Sequence, residues 1–178
     1  MNGNCHFIFG AAVAASAAIV TGADQNTTTL LLATGLIGSV FPDIDNPKSH
    51  FGQLTKPVST LIGQASKITG HIGKRHRGLF HDLGLYVLLA IASYNFVPAL
   101  IGFFLGVLSH LILDSMNPAG IKIFTKYFSI GKVPSDSKLA VYISWSLVIA
   151  TIGAACVFRY LYGTINFDLN IINKFQFH

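Results

Sequence analysis

Residues 83–113 run for 31 positions without one charged side chain, and His110 is the sole histidine among them. Such a run has no polar face to turn to water, so it belongs inside a membrane or a large core. As a single helix it would reach ~46 Å, well beyond a hydrocarbon thickness of roughly 30 Å. Pro98, at the end of "SYNFVP", supplies a break because the residue before a proline is driven from helical geometry. Two short spans, 82–95 and 98–114, joined as a tight hairpin, are therefore expected.

Three other apolar segments, 7–23, 27–42 and 139–158, complete a set of five. Composition agrees with a membrane class: 52% of the 178 residues are hydrophobic and only 11% charged, whereas soluble domains carry roughly a quarter charged residues. Mean hydropathy is +0.57. The expected fold is all-α, a polytopic membrane helical bundle forming one domain over residues 1–178.

The net charge of +5 does not point to nucleic acid, because the basic residues follow no repeated helical face and no nucleic-acid motif accompanies them. They follow topology instead. Six of the twelve Lys and Arg (Lys48, Lys56, Lys67, Lys74, Arg75, Arg77) fall in loop 43–81 and four (Lys122, Lys126, Lys132, Lys138) in loop 115–138. The connections near Asp24 and Asn95 carry none. The positive-inside rule places both basic loops in the cytoplasm, with the N-terminus inside and the C-terminus outside. An unbroken helix over 82–114 would put one basic loop on the wrong side. A cleavable signal peptide would need a basic n-region, which the first residues lack, so the first span is read as retained.

Loop 43–81 carries a further pattern. Leu54, Val58, Leu61, Ile62, Ala65, Ile68 and Ile72 recur at helical spacing, with Pro57 suited to a helix start and Gly70 to its end. This predicts an amphipathic helix, which either lies on the cytoplasmic leaflet or packs over the bundle. The segment "GIKIFTKYFSIGK" alternates too briefly to assign.

The ionisable residues gather at the cytoplasmic ends of the spans. His6 opens the first; Asp43 and Asp45 in "FPDIDNP" end the second; His76, His81 and Asp82 precede the third; His110 and Asp114 in "SHLILD" close the fourth. Singly, each has a bland reading: a helical His/Asp hydrogen bond, a turn built by Asp-Asn-Pro, interfacial histidines beside a basic cluster. Together they bring imidazoles and carboxylates from four segments to one membrane depth, and ionisable groups embedded there are expensive enough to imply function.

Imidazole nitrogen with carboxylate oxygen, and no thiolate, suits a divalent ion, Zn first and Mn or Fe next. Seven candidate ligands, His6, Asp43, Asp45, His76, His81, His110 and Asp114, exceed the four of one structural zinc and suffice for two ions with a bridging carboxylate, as in phosphoester hydrolases. The chain contains no Glu, so Asp82 or one of these aspartates would have to move protons.

The four motifs, "HFIFG", "FPDIDNP", "HRGLFHDLG" and "GVLSHLILDSMNPAG", resemble in order those of the LexA-binding, inner-membrane-associated, metal-dependent hydrolase family (domain of unknown function 457). The resemblance spans roughly residues 6–124 and implies a multi-span bacterial inner-membrane protein whose metal ligands are His6, Asp43, Asp45, His76, His81, His110 and Asp114. One departure stands out: Phe80-His81-Asp82 occupies a position where the family implies Thr-His-Ser.

The expected function is hydrolysis of an ester or phosphoester, lipids included, at the cytoplasmic membrane surface, with Arg77 beside Lys74 and Arg75 attracting an anionic substrate. Membrane lipids are the expected partners. A metal-ion transporter or sensor is the alternative, as is a scaffold with a structural metal. Transport sites lie near the bilayer midplane on broken helices, whereas these ligands lie at helix ends. For topology, reporter fusions at Lys67 and at Lys132 should both score cytoplasmic; opposite signals from the two would eliminate the five-span arrangement.

Overall fold

The structure, a computed structural model, describes residues 3–46, 49–68, 79–93, 100–124 and 126–164. Helix α1 (Gly3–Thr21) is the axle of the bundle: α2 (Gln25–Val40), α6 (Leu100–Ser115) and α7 (Lys138–Tyr162) all pack on it. Three neighbours leave little room for side chains. Accordingly α1 buries Ala12, Ala14 and Ala18, together with Cys5, Phe9 and Ser16, and small residues at such contacts let helix backbones approach closely. Asp24 starts α2 by accepting the Thr27 N–H at 2.8 Å, and that hydrogen bond holds its carboxyl below the usual range. At the same end of the molecule the Arg159 guanidinium donates to the Ile19 carbonyl at 2.7 Å, tying α7 to the close of α1.

Three described helical segments, Gly3–Thr21, Gln25–Ile44 and Lys138–Tyr162, are long and apolar enough to cross a membrane. Helix α6, at 16 residues, is a shorter apolar helix, and α5 (Leu83–Ser93) has 11 residues. The loop between α5 and α6 lies outside the described residues. The first helix begins earlier than hydropathy predicts, at Gly3, so His6 sits inside its first turns.

Contact between α2 and α6 is backbone to backbone. A Cβ on Gly38 would overlap the Phe103 carbonyl, and one on Gly106 would overlap the Gly35 carbonyl and stand 2.7 Å from the Ser39 nitrogen. Gly102 and Gly106 are thus the small-residue pair, four apart, that membrane helices use for close crossing. Helix α2 then tightens into a 3-10 helix, Phe41–Asp45, with Pro42 in its first turn. In 3-10 spacing the N–H that would meet the Ser39 carbonyl belongs to residue 42, and proline has none. The Ser39 carbonyl is left for another donor.

On the cytoplasmic side of the predicted topology, α3 (His50–Leu54) and α4 (Lys56–Ile68) pack beside the Phe41–Asp45 turn, and a second 3-10 turn, Leu79–His81, leads into α5. The segment that sequence alternation leaves unassigned forms an antiparallel hairpin, β1 (Ile121–Ile123) with β2 (Lys126–Phe128), pairing Ile121 with Phe128 and Ile123 with Lys126. The left-handed Phe124 (φ 52°) lies in the turn between them.

Replacing Gly106 with Val should push α2 from α6 and destabilise the protein by about 1 to 3 kcal/mol, the usual cost of overpacking. Gly153→Ala, at a position with nothing within 4 Å of a new Cβ, should be neutral or slightly stabilising. Thermal unfolding of both variants in detergent tests the contrast.

Candidate metal centre

Four elements converge. Helix α1 contributes His6, the Phe41–Asp45 turn Asp43, the Leu79–His81 turn His81, and α6 both His110 and Asp114, one helical turn apart. His6, His81, His110 and Asp114 are all buried to 2% exposure or less, whereas the Asp43 side chain is 21% exposed. Asp114 stands at the centre. Its Oδ1 lies 3.4 Å from His6 Nε2, and its Oδ2 lies 3.5 Å from His81 Nε2 and 3.6 Å from His110 Nε2. Asp43 Oδ1 closes the other side, 3.8 Å from His81 Nε2 and 4.0 Å from His110 Nε2. The His6 and His110 rings stack at 3.8 Å, with His81 edge-on to His110 at 5.4 Å.

These separations are too long for N–H···O bonds, which centre on ~2.9 Å. The shortest of them approach another figure. Ligands held ~2.0 to 2.1 Å from a tetrahedral zinc stand roughly 3.3 to 3.4 Å from one another. The donors form two overlapping groups, His6 with His110 and Asp114, and Asp43 with His81 and His110.

His110 decides the chemistry. Its Nδ1 lies 2.7 Å from the Ser39 carbonyl, an acceptor only, so Nδ1 carries the proton and donates. In the neutral ring Nε2 is then a bare lone pair, and it is buried with no hydrogen-bond partner among the described residues. A lone pair aimed between two carboxylates is unfavourable unless a proton or a metal cation lies between them. Burial also pushes the His81 imidazole below its ordinary value, against the opposing pull of Asp114, which favours the neutral form that ligates metal. One imidazole nitrogen serves one ion, so a second ion would need a carboxylate to bridge, and Asp114 presents one oxygen to His6 and the other to His81 and His110.

Two groups that sequence reasoning does not single out support this set. Asn117 is buried and its amide donates to Asp114 Oδ1 at 3.0 Å; its position three residues past Asp114, in "DSMN", is the available signal. Ser39 acts through its carbonyl, which no side-chain pattern discloses. Of the other residues singled out, His76 and Arg77 lie outside the described residues, as does the Asp45 side chain.

Asp82, one of the aspartates that the sequence offers for proton transfer, has its carboxylate engaged by backbone N–H groups and a lysine. Its Oδ1 accepts the N–H groups of Gly84 at 3.0 Å, Leu85 at 3.4 Å and Phe124 at 2.8 Å, and its Oδ2 lies 3.7 Å from Lys122 Nζ. It caps α5 and fastens the β hairpin to the residue after His81. That makes it a positioning group.

The model of the "YdjM inner membrane protein" family matches residues 1–167. The chain belongs to the YdjM inner membrane protein family. It is 35% identical over 101 residues to "Inner membrane protein YdjM" of Escherichia coli (strain K12) and equally to that of Shigella flexneri, covering 52% of this chain and 47% of each relative. The match thus spans about half the length of those relatives. "Uncharacterized protein YvsG" of Bacillus subtilis (strain 168) is 28% identical over 169 residues, 90% of this chain and 96% of the relative. No solved structure matches. Membership makes this a bacterial inner-membrane protein, in agreement with its long apolar helices.

Because Asn keeps the acceptor oxygen that caps α5, Asp82→Asn should leave stability and metal content near wild type. Asp82→Ala should cost about 1 to 2 kcal/mol, the range for a lost N-cap. Equal destabilisation by the two substitutions would show that the cap is not what Asp82 contributes.

Proposed function

We propose that this chain is a multi-pass inner-membrane hydrolase of five spans, using one or two divalent ions, Zn foremost, to cleave an ester or phosphoester at the cytoplasmic surface. The observation that supports the metal is the buried His110 Nε2, held by Ser39 with its lone pair between Asp43 and Asp114. His6, His81, His110, Asp43 and Asp114 would hold the ion, with Asp45 and His76 as further ligands. A divalent ion in such a site supplies Lewis acidity toward the scissile group and acidifies water.

The protein's own groups divide the remaining work. His6, His81 and His110 are held in place by burial. Asn117 orients Asp114. Asp43 is the partly exposed member of the set and so marks the side from which substrate and water enter; it takes over the proton-transfer role that Asp82 is too committed to perform. Arg77, with Lys74 and Arg75, would draw an anionic substrate toward that mouth. A ligand set with one solvent-reached member favours catalysis over a structural metal, which closes its shell. The position of the ligands at helix ends argues against transport.

The test combines abundance, bound metal and turnover on the same variants. His110→Ala and the double variant Asp43→Ala with His81→Ala should still insert, since insertion depends on the apolar spans, yet lose metal and metal-dependent turnover in a screen of phosphoesters and carboxylesters. Lys67→Ala should change little, because one surface lysine contributes only about 1 kcal/mol to membrane attraction. Persistent hydrolysis by the metal-free double variant rules the mechanism out. Altered metal uptake with no hydrolytic product in any variant would instead establish transport.

A further inference from the structure

Helix α4 divides its surface three ways. Ser59 is fully buried and its hydroxyl donates to the Gly52 carbonyl at 2.9 Å, while Val58 and Leu61 are 48% and 66% exposed. At ~100° per residue, Ser59 and Leu61 point about 160° apart. Lys56, Thr60 and Gln64 are exposed on the remaining face. A helix packed over a soluble core would turn Leu61 inward and Ser59 outward. Here the small polar residue faces the protein and the apolar ridge faces away, continued by Leu54, 83% exposed at the end of α3.

The place of α4 in the bundle says what covers that ridge. The candidate span Gln25–Ile44 runs into the Phe41–Asp45 turn, and α4 packs on that turn. The ridge therefore sits at the level where a candidate membrane span ends. An amphipathic helix at that depth, with a lysine on its polar side, fits the headgroup region of an anionic leaflet.

A chain of short hydrogen bonds leads from this helix to the metal centre. Ser59 Oγ donates to the Gly52 carbonyl; the Gly52 N–H donates to Ser49 Oγ at 2.8 Å; and Ser49 Oγ reaches the carbonyls of Asp43 and Asn46, 2.9 Å each. Gly52 admits no side chain, since a Cβ there would overlap the Asn46 carbonyl. Displacing α4 thus pulls on the backbone of Asp43 through three hydrogen bonds.

We infer that α4 docks by Val58 and Leu61 on the anionic cytoplasmic leaflet, and that the Ser59–Gly52–Ser49 hydrogen bonds transmit this docking to Asp43, so that the lipid surface sets the geometry of the metal centre. The second half rests on the metal-centre reading above; the first does not. In this arrangement the mouth marked by Asp43 opens beside the lipid surface, and the substrate class it fits is a phospholipid headgroup ester.

The full-length protein in nanodiscs of phosphatidylcholine and phosphatidylglycerol tests both halves. In a Cys156→Ala background, Cys5 being buried, a polarity-sensitive fluorophore is attached at Leu61→Cys or Gln64→Cys. The label at 61 should be quenched by brominated acyl chains and shielded from aqueous iodide, and the label at 64 should show the reverse. Equal iodide quenching at both positions overturns the docking. For the relay, zinc affinity is measured by chelator competition: Ser59→Ala and Leu61→Asp should each weaken zinc by about tenfold, the lower range for residues supporting a ligand, while Gln64→Ala leaves it unchanged. Wild-type affinity in both Ser59→Ala and Leu61→Asp overturns the relay with the docking intact. Failure of the wild type to bind zinc removes the metal-centre reading and the relay with it, while the contrast between 61 and 64 still decides the docking.

Discussion

The hydrogen bond from His110 Nδ1 to the Ser39 carbonyl depends on how closely α2 and α6 approach, and the arrangement of the candidate metal centre depends on that bond. Gly38 and Gly106 allow backbone contact, Pro42 leaves the Ser39 carbonyl without its local donor, and His110 supplies the missing N–H. Two ends are met by one bond. A buried carbonyl that would otherwise be unsatisfied gains a partner, and the imidazole is locked in the tautomer that leaves Nε2 as a lone pair. Had the glycines been alanines, the helices would stand further apart and the ring would lose its anchor. Helix packing and ligand chemistry are here the same constraint.

The second feature is the concentration of cost. Three imidazoles and Asp114 are withdrawn from water within one cluster, and each buried polar group without a good partner is destabilising by about 1 to 3 kcal/mol. A chain under selection for stability alone would fill this space with leucine. Instead it places imidazole nitrogens and carboxylate oxygens 3.4 to 4.0 Å apart, an arrangement that a shared cation would make favourable. The surrounding structure is correspondingly committed: Asn117 holds one oxygen of Asp114, and Asp82 spends its carboxylate on fixing the backbone that follows His81.

Much of this was legible in the sequence, and for a physical reason. Charge is so costly in an apolar segment that any His or Asp at a span end stands out, and five of the seven residues singled out on that ground, His6, Asp43, His81, His110 and Asp114, come together in the structure. The failures share a cause as well. The sequence offers Asp82 as one of several carboxylates for proton transfer, yet which groups it accepts depends on the hairpin turn at Phe124, more than 40 residues away. Ser39 contributes a main-chain oxygen, and main-chain oxygens carry no residue signature. The hairpin itself is too short for its alternation to register. Amphipathic spacing in α4 revealed an apolar face but not its direction, because direction is set by Ser59 finding Gly52, a tertiary contact.

That direction has a consequence for how the site meets its surroundings. Helices α1 and α6 deliver His6, His110 and Asp114 from buried positions between packed helices. Asp43 arrives differently, on a 3-10 turn whose outer flank is α3 and α4. The buried helical members of the cluster and Asp43 are therefore carried by different structures, and Asp43 is the member that solvent reaches. If α4 docks on the membrane as proposed, a site built this way would retain its buried histidines whatever happens at the membrane surface, while the closure of a coordination shell around a bound ion would answer to α4.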